Sequence, residues 1–369
     1  MPEIRLESIC KDFDGHVAAD DLSLTIGDGE YLCILGPTGA GKTTCMRMIC
    51  GLTRPDSGRV YFDGEDVTDM DVDLRNSTML SQSYSLFPHM SVYNNVIFAP
   101  RIKEWPEESA KQIVRSMLNM VHLEQKADWK PAQLSGGQQQ RIALARALAS
   151  GSKVLLLDEP LRALDARLRI NLRKELRSLA KEMGLTCIHV THDQDEALEM
   201  ADRIAVIRRG RIIQVGEPRD VFENPATPFV ANFVGRSNVV TGRLTASDGD
   251  HAEVTVPGGW VLRTRPTGIP VGTDVVVTVK VGSTKVSHAT DEDIPNRMCT
   301  GTIERILYEG ATITVDVSVD GMGTLSAKLP NRKYDDYKAG ETVDIQWVPS
   351  KASVFTMPEQ GLEEEMRLD

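Results

Sequence analysis

The stretch GPTGAGKTT, from Gly36 to Thr44, decides how the rest of the chain is interpreted. It follows an apolar run, Tyr31 to Leu35, that predicts a buried strand, and it precedes a segment of helical character, Cys45 to Cys50. A strand, a glycine-rich turn that ends in Lys-Thr, and a helix are together typical of a phosphate-binding loop. Glycines let the backbone wrap closely around phosphate oxygens, and the positive end of the following helix favours an anion. The sequence therefore predicts nucleotide binding.

The side chains of this stretch have distinct predicted roles. Lys42 would reach the β- and γ-phosphates, and the Thr43 hydroxyl would ligate Mg²⁺. The alternative is an ordinary glycine turn between a strand and a helix. Every fixed position of the phosphate-binding-loop motif is matched here, which argues against this alternative. The predicted phosphate-binding residues are Gly36, Pro37, Thr38, Gly39, Ala40, Gly41, Lys42, Thr43 and Thr44.

Length and composition restrict the class of protein. A chain of 369 residues predicts two domains, or one large domain with an appendage. The formal net charge of −11 gives no indication of the basic surface that a nucleic-acid-binding protein needs. No apolar run approaches the roughly 18–20 residues that span a bilayer, and the N-terminus has no apolar signal core. The six cysteines form no CxxC pair and predict reduced core thiols, so we expect a soluble cytosolic protein.

The chain changes character after residue 235. Strands and helices alternate before that point, which predicts an α/β domain with a mainly parallel sheet over residues 1–235. Short strands separated by Gly, Pro, Asp or Asn follow, and they predict a smaller all-β barrel or sandwich over 236–369. Residues 221–234 have helical character and would bridge the two parts. The end of the chain, from Glu359 onward, is an acidic tail.

Polar residues follow two of the predicted strands. Asp158 and Glu159 come after the buried run Val154 to Leu157, at the edge where ligands bind in open α/β sheets. Asp158 is a candidate Mg²⁺ ligand and Glu159 a candidate general base, although such a pair can also cap a helix. His192, at the tip of a later strand, would contact the γ-phosphate or orient water, or is a structural histidine.

Three further features have roles that the residues alone leave open. Residues 78–82 predict a strand that ends on Gln82, which would sense the γ-phosphate or Mg²⁺ or would bond a loop. Phe13 lies in a first hairpin that turns at Asp14-Gly15, and on composition alone it is a core aromatic. The apolar connector SYSLFPHMSVYNNV, Ser83 to Val96, is either core or a docking surface for a partner.

The segment LSGGQQQR, Leu134 to Arg141, supplies a second anion site. Ser135, Gly136 and Gly137 directly precede an alanine-rich helix, whose N-terminus favours an anion. One domain can hardly use this site and the phosphate-binding loop on a single phosphate tail. Two copies arranged head-to-tail would sandwich each nucleotide between the loop of one and the LSGGQ of the other.

These motifs together resemble the ATP-binding-cassette (ABC) ATPases. The resemblance covers residues 1 to about 235 and consists of GPTGAGKTT, Gln82, LSGGQQQR, VLLLDEP, LRALD and THDQDEA, in that order. It implies that Phe13 stacks on adenine, that Glu159 is the base and that His192 is a switch. It further implies that ATP and Mg²⁺ are bound and that a homodimer or a heterodimer with a paralogue is required. Residues implied to act at the dimer seam are Ser135, Gly136, Gly137, Gln138 and Asp165, and the Mg²⁺ ligands are Thr43, Gln82 and Asp158.

The β-rich region extends the likeness to importer ATPases. Maltose, glycerol-phosphate, polyamine and ferric-ion importers share a cassette followed by a barrel-like regulatory (TOBE-type) domain. The resemblance implies two permeases that dock near Ser83 to Val96, an extracytoplasmic binding protein, and a peripheral position on the cytoplasmic face of the plasma membrane. A soluble ABC ATPase, or a regulatory subunit without a permease, is the alternative. Arg162 departs from the family, which usually has Ser or Gly at this position.

Overall fold

The computed structural model describes residues 2–290, 292 and 294–367. They form two compact units, one that ends at Pro218 and one that begins at Arg219. The predicted domains, 1–235 and 236–369, divide later in the chain than these units do. Leu368 and Asp369, the end of the predicted acidic tail, lie outside the described residues.

The first unit combines two sheets with flanking helices. Its strands are β1 (Ile4–Phe13), β2 (His16–Ile26), β3 (Tyr31–Leu35), β4 (Ser57–Phe62), β5 (Glu65–Asp66), β6 (Ser77–Leu80), β7 (Val154–Asp158), β8 (Thr186–Thr191), β9 (Arg203–Arg208) and β10 (Arg211–Gly216). Its helices are α1 (Lys42–Ile49), α2 (Val92–Val96), α3 (Phe98–Ile102), α4 (Glu107–Met120), α5 (Gly136–Leu148), α6 (Ala166–Glu182) and α7 (Gln194–Met200).

The larger sheet of this unit is mainly parallel, as predicted. Its strand order is β10-β9-β3-β8-β7-β6, and only the pair β9 and β10 is antiparallel. Every residue of β3 and β7 is buried. A parallel sheet that is covered on both faces buries both sides of its central strands, which explains why β3 and β7 have continuously apolar sequences.

The smaller sheet has the order β2-β1-β4-β5 and is antiparallel. The predicted hairpin turns at Asp14 and Gly15, which both adopt the left-handed conformation, with φ of 51° and 91°. This turn pairs Phe13 with His16 across the two strands. Ile4 and Leu6 alternate with more exposed residues and enter the core of this unit.

The parallel register brings distant polar residues to one edge of the sheet. Leu35, the last residue of β3, pairs with Thr191 of β8, and Asp158 of β7 pairs with Val190. The phosphate-binding loop, Asp158 and His192 therefore leave the sheet at neighbouring carboxyl ends, which is where open α/β sheets bind ligands.

The second unit is mostly β, as predicted, and its two sheets share one core. Its helices are α8 (Pro218–Glu223), which begins at the unit boundary, α9 (Pro228–Phe233) and α10 (Leu362–Met366). Its strands are β11 (Ser237–Ser247), β12 (Ala252–Thr255), β13 (Val261–Thr264), β14 (Asp274–Lys280), β15 (Lys285–His288), β16 (Arg297–Tyr308), β17 (Thr312–Val319), β18 (Gly323–Pro330), β19 (Thr342–Gln346) and β20 (Ala352–Thr356). The sheet orders are β13-β12-β11-β14-β20 and β15-β19-β16-β17-β18. Leu244 and Val254 of the first sheet and Ile313 of the second belong to the same buried apolar cluster.

The helical character predicted for 221–234 is found in two short helices. Helix α8 ends at Glu223 and α9 begins at Pro228, because proline cannot continue a helix and restricts the residue before it. Helix α9 belongs to the second unit. The Lys280 ammonium of β14 donates hydrogen bonds to the carbonyls of Val234 and Gly235, at 2.7 and 2.9 Å.

Two local expectations in the first unit differ from the structure. The strand predicted over 78–82 ends at Leu80, so Gln82 lies on an exposed turn beyond it. The connector from Ser83 to Val96 is not uniformly exposed: Val92 and Val96 are buried on α2, whereas Phe87 is half-buried. Apolar character alone did not separate these two environments.

Two properties of the chain as a whole complete the fold. All six cysteines are free thiols, five of them buried and Cys10 half-buried. In the part of the chain that the structure describes, no helix combines the length and the apolar character needed to cross a membrane.

Candidate functional site

The phosphate-binding loop is held by close backbone approaches that only glycine permits. Gly41 has φ of 95°, and a Cβ at this position would lie 1.9 Å from the Ala18 carbonyl oxygen. A Cβ on Gly36 would lie 2.2 Å from the Ile207 carbonyl oxygen. The loop therefore packs directly on the backbone of β2 and β9, and α1 begins immediately after it at Lys42.

A second backbone connection fixes the middle of the loop. The Gly210 amide donates to the Ala40 carbonyl oxygen at 3.1 Å, and the Asp20 amide donates to the Gly210 carbonyl oxygen at 3.0 Å. The tight β9–β10 turn thus bridges the loop to β2. Preorganisation of this kind leaves the loop backbone in place before a ligand arrives.

The Lys42 side chain is buried within the phosphate-binding loop. Its ammonium donates to the carbonyl oxygens of Gly36 and Pro37, at 2.8 and 2.7 Å. Burial lowers the pKa of Lys42, and the nearby carboxylates of Glu159 and Asp158 oppose this effect. A phosphate group in the loop would add negative charge beside the ammonium and favour its charged form.

Thr43 and Asp158 form the second element of the site. The Thr43 hydroxyl donates to Asp158 Oδ2 at 3.0 Å. The other oxygen, Oδ1, is buried and has no hydrogen-bond partner among the described residues. Burial raises the pKa of Asp158, while the Thr43 hydrogen bond lowers it. A hydroxyl beside an unpartnered buried carboxylate oxygen is an oxygen donor set that suits a hard divalent cation.

Eight of the seventeen predicted nucleotide-binding residues line one pocket, and Gly36, Pro37, Ala40 and Asp158 do not. Phe13 is 46% exposed and is therefore not the core aromatic that composition favoured. Lys11 lies over its ring, with 5.2 Å between the ammonium and the ring centroid. The exposed Gln82 reaches the same pocket despite lying beyond its strand. The lining consists of Phe13, His16, Ala18, Thr38, Gly39, Gly41, Lys42, Thr43, Thr44, Gln82, Glu159 and Val190.

Glu159 leaves β7 with a sharp change of direction. Its φ is 50°, an uncommon conformation for a non-glycine residue, and its amide donates to the Val190 carbonyl oxygen at 2.9 Å. Gln140 of α5 fixes the turn that follows: its Nε2 donates to the Glu159 carbonyl oxygen at 3.1 Å, and its Oε1 accepts from the Ala163 amide at 3.0 Å. The unusual backbone is therefore supported on both sides, as strained functional positions require.

The Glu159 carboxylate is divided between two partners. Oε1 lies 3.1 Å from Nδ1 of His192, and Oε2 accepts from the Arg162 guanidinium at 2.8 Å. His192 does not line the pocket itself but joins it through Glu159. The structure thus connects the predicted base with the predicted switch residue.

The LSGGQ segment also lies outside this pocket. Ser135 caps α5: its hydroxyl accepts from the Gln138 amide at 3.4 Å, and the Gln138 side chain accepts from the Ser135 amide at 3.1 Å. A Cβ on Gly137 would lie 3.0 Å from the Ala163 carbonyl oxygen. The segment packs beside the turn after Glu159, yet Ser135, Gly136, Gly137 and Gln138 do not line the pocket.

Asp165 is the N-cap residue of α6. Its side chain accepts from the Leu168 amide at 3.0 Å and caps α6. Arg169, one turn further along, donates to the carbonyl oxygens of Arg162 and Leu164, at 3.3 and 3.0 Å. The same guanidinium reaches Asp193 at 3.4 Å, next to His192. The loop around Asp165 is thereby tied to the loop around His192.

Sequence reasoning missed several residues that shape the site. His16 was detectable, because a turn at Asp14-Gly15 necessarily pairs it with Phe13. Gln140 and Arg169 gave no local signal, since a buried glutamine and a half-buried arginine are recognised only by the carbonyls they reach. Their partners lie in segments that the sequence does not pair.

The arrangement defines the class of protein. A phosphate-binding loop, a Thr-Asp pair, a glutamate held by histidine, and a separate LSGGQ helix start are the parts of an ATP-binding cassette. The family model of the ABC transporter matches residues 19–162, and that of the TOBE domain matches residues 283–355. The chain belongs to the ABC transporter family and is an ATP-hydrolysing subunit of the importer type.

Named relatives and solved structures are similar to this chain. The spermidine/putrescine import ATP-binding protein PotA of Haemophilus influenzae is 41% identical over 351 residues, which cover 94% of this chain and 94% of that protein. PotA of Marinobacter nauticus is 40% identical over 372 residues, 99% of this chain and 98% of that protein. A dimeric structure of the ATP-binding cassette MJ0796 in a post-hydrolysis state, bound to ADP and Pi, is 32% identical with a TM-score of 0.54, and it covers 58% of this chain and 99% of that chain.

Proposed function

We propose that this chain binds ATP with Mg²⁺ in the pocket around Lys42 and hydrolyses it as a dimer that drives polyamine import. The observation that carries the proposal is the divided site: six of the nine predicted phosphate-binding residues line the pocket, and Ser135 to Gln138 do not. A second copy whose Ser135 reached this pocket would complete it. The solved MJ0796 cassette bound to ADP and Pi is itself dimeric, which supports this arrangement.

The Mg²⁺ ion would be held by Thr43 and Asp158, with Gln82 nearby. The unpartnered Asp158 Oδ1 and the Thr43 hydroxyl supply the oxygen ligands that this ion prefers. When bound, the ion would neutralise charge on the phosphate oxygens. Lys42 would hold the same phosphates from the loop side.

Glu159 is the proposed general base. Glu159 lines the pocket and directly follows Asp158, whose carboxylate accepts from Thr43, so a water beside the γ-phosphate would be within its reach. His192 orients this carboxylate through the 3.1 Å contact to Oε1. Phe13 offers an exposed ring at the pocket rim on which adenine can stack.

The solute and the partners follow from the relatives and from the connector. PotA proteins are named for spermidine and putrescine import, and they match this chain along nearly its full length. Two permeases would dock near Ser83 to Val96, where Leu86 and Phe87 are half-buried and available to a partner helix. A binding protein would deliver the solute, and the chain would be a peripheral subunit on the cytoplasmic face of the membrane.

The base is tested by Glu159→Gln. This variant should bind ATP with unchanged affinity, remain dimeric with ATP, and lose at least about 100-fold in kcat. Glu182→Gln, on the exposed end of α6, is the control and should hydrolyse ATP normally. Normal turnover by Glu159→Gln would assign the base elsewhere.

The phosphate-binding role is tested separately by Lys42→Ala. Loss of a charge-assisted contact should weaken ATP binding by about tenfold or more, measured by equilibrium titration. Lys174→Ala, exposed on α6, should bind ATP as the unmodified chain does. Equal affinities for the two variants would contradict the proposed contact.

The proposed solute and the proposed partners are tested with membrane preparations. Copurification of the chain from native membranes should bring permease proteins with it, and vesicles containing that complex should take up spermidine or putrescine with ATP. Uptake of maltose or glycerol phosphate instead would replace the proposed solute. A chain that copurifies with no membrane protein and hydrolyses ATP alone would favour the soluble ABC ATPase.

A further inference from the structure

Arg162 engages the proposed general base. Its guanidinium donates to Glu159 Oε2 at 2.8 Å, while His192 lies against Oε1 of the same carboxylate. Both carboxylate oxygens therefore already have a partner. Each carboxylate oxygen keeps a further lone pair, but a guanidinium on Oε2 competes with water for this oxygen, so the carboxylate receives a water more readily once that contact opens.

The backbone holds the two ends of this ion pair close together. Gln140 binds both the Glu159 carbonyl and the Ala163 amide, so the turn between them is closed. Arg169 donates to the Arg162 carbonyl oxygen at 3.3 Å, which fixes the backbone from the α6 side. These contacts do not involve the Arg162 side chain, and replacing that side chain leaves the turn intact.

The two side chains that contact the Glu159 carboxylate, Arg162 and His192, differ in length and exposure. The Arg162 side chain is 64% exposed, whereas that of Glu159 is 11% exposed. An exposed guanidinium can leave for solvent at little cost, because surface ion pairs are weak. The His192 side chain is 52% exposed, and its backbone is joined to Asp193, whose carboxylate binds Arg173 at 2.9 Å. Arg162 has the longer and more exposed side chain, so its contact is the one that opens more easily.

We infer that Arg162 is a positioning residue that holds Glu159 in an ion-paired resting form and slows ATP hydrolysis until the guanidinium leaves Oε2. The inference rests on the proposed role of Glu159 as the base. A short neutral side chain at position 162, such as serine, cannot make this ion pair.

The test compares Arg162→Ser and Arg162→Lys in the full-length chain. Arg162→Ser should raise kcat at saturating Mg²⁺ and ATP by roughly twofold to fivefold, the range that corresponds to the weak coupling of an exposed ion pair. KM for ATP should stay within about twofold, because Arg162 does not line the nucleotide pocket. Arg162→Lys keeps a cation and should remain near the original kcat. Arg115→Ser, exposed on α4, is the control.

Each outcome decides the inference. An unchanged or reduced kcat in Arg162→Ser, with normal folding by circular dichroism, would overturn it, as would an equal increase in Arg162→Lys. Arg162→Gln serves as a second neutral variant should the serine variant fold poorly. Glu159→Gln separates the two proposals: if it remains active, the base assignment fails, and if it is inactive while Arg162→Ser is unchanged, only the role of Arg162 fails.

Discussion

Gln140 bridges the helix that begins at Ser135 to the turn that carries Glu159. Its side-chain amide donates to the Glu159 carbonyl oxygen at 3.1 Å and accepts from the Ala163 amide at 3.0 Å. Gln140 is 1% exposed, so neither bond competes with water. The LSGGQ segment and the proposed base are therefore mechanically joined within one subunit, although only one of them lines the pocket.

Gln140→Ala should impair turnover more than it impairs binding. It leaves the Glu159 carbonyl and the Ala163 amide without their partner, which should cost about 1–3 kcal/mol of unfolding free energy. The looser turn should lower kcat, while ATP affinity changes little because the phosphate-binding loop is untouched. Urea unfolding and steady-state kinetics measure the two effects. Gln346→Ala, the same truncation in the second unit, should leave kcat unchanged.

Asp158→Asn should stabilise the ligand-free chain and disable the site. Burial raises the pKa of Asp158, so the ionised carboxylate costs folding stability above that pKa. Asparagine removes this cost and still accepts from Thr43, for an expected gain of about 1 kcal/mol in urea unfolding with EDTA at pH 8. The gain should shrink as pH falls through the raised pKa, because the folded carboxyl then becomes neutral. Asp73→Asn, exposed, should show neither the gain nor the loss of Mg²⁺-dependent turnover.

Arg75→Met should destabilise the helix that follows the phosphate-binding loop. The buried guanidinium donates to the carbonyl oxygens of Met48 and Ile49 at the end of α1, both at 2.9 Å, and to that of Thr68 at 2.9 Å. Methionine fills a similar length but leaves these carbonyls unpaired, at a cost of about 2–4 kcal/mol in unfolding free energy. Arg54→Met, whose side chain is exposed, should change stability by less than about 0.5 kcal/mol. Equal effects of the two changes would contradict the proposed cap.

Lys280→Met should alter the pH dependence of the second unit. Burial lowers the pKa of Lys280 to about 7, and its ammonium caps α9 at the carbonyls of Ala231, Val234 and Gly235. Because the folded pKa lies below the unfolded value, the stability cost of burying this charge is complete below about pH 7 and fades as pH rises toward 10. Hydrogen exchange over β14 should therefore slow from pH 7 to 9, after correction for intrinsic rates, in the original chain and not in Lys280→Met.

Local features of this protein could be predicted because their causes are local. The glycine-rich loop, the helix after it and the hairpin at Asp14-Gly15 depend on neighbours within a few residues, although α1 begins at Lys42, before the predicted Cys45. The predicted strand end at Gln82 was wrong, since apolar content does not indicate where a strand leaves the sheet. Prolines at 225 and 228 carried the signal that separates α8 from α9.

The sequence by itself determined the order of parts: a strand, a phosphate-binding loop and a helix, then LSGGQ, an Asp-Glu pair and a histidine, then a β domain. Only the tertiary structure decided which of these parts meet. The parallel sheet brings Asp158 to Thr43 and joins Glu159 to His192, while Ser135 stays outside the pocket. Such contacts depend on strand order and register, which are set by packing between separate segments, and no local pattern encodes them: Thr43 and Asp158 are 115 residues apart, and Glu159 and His192 are 33 apart.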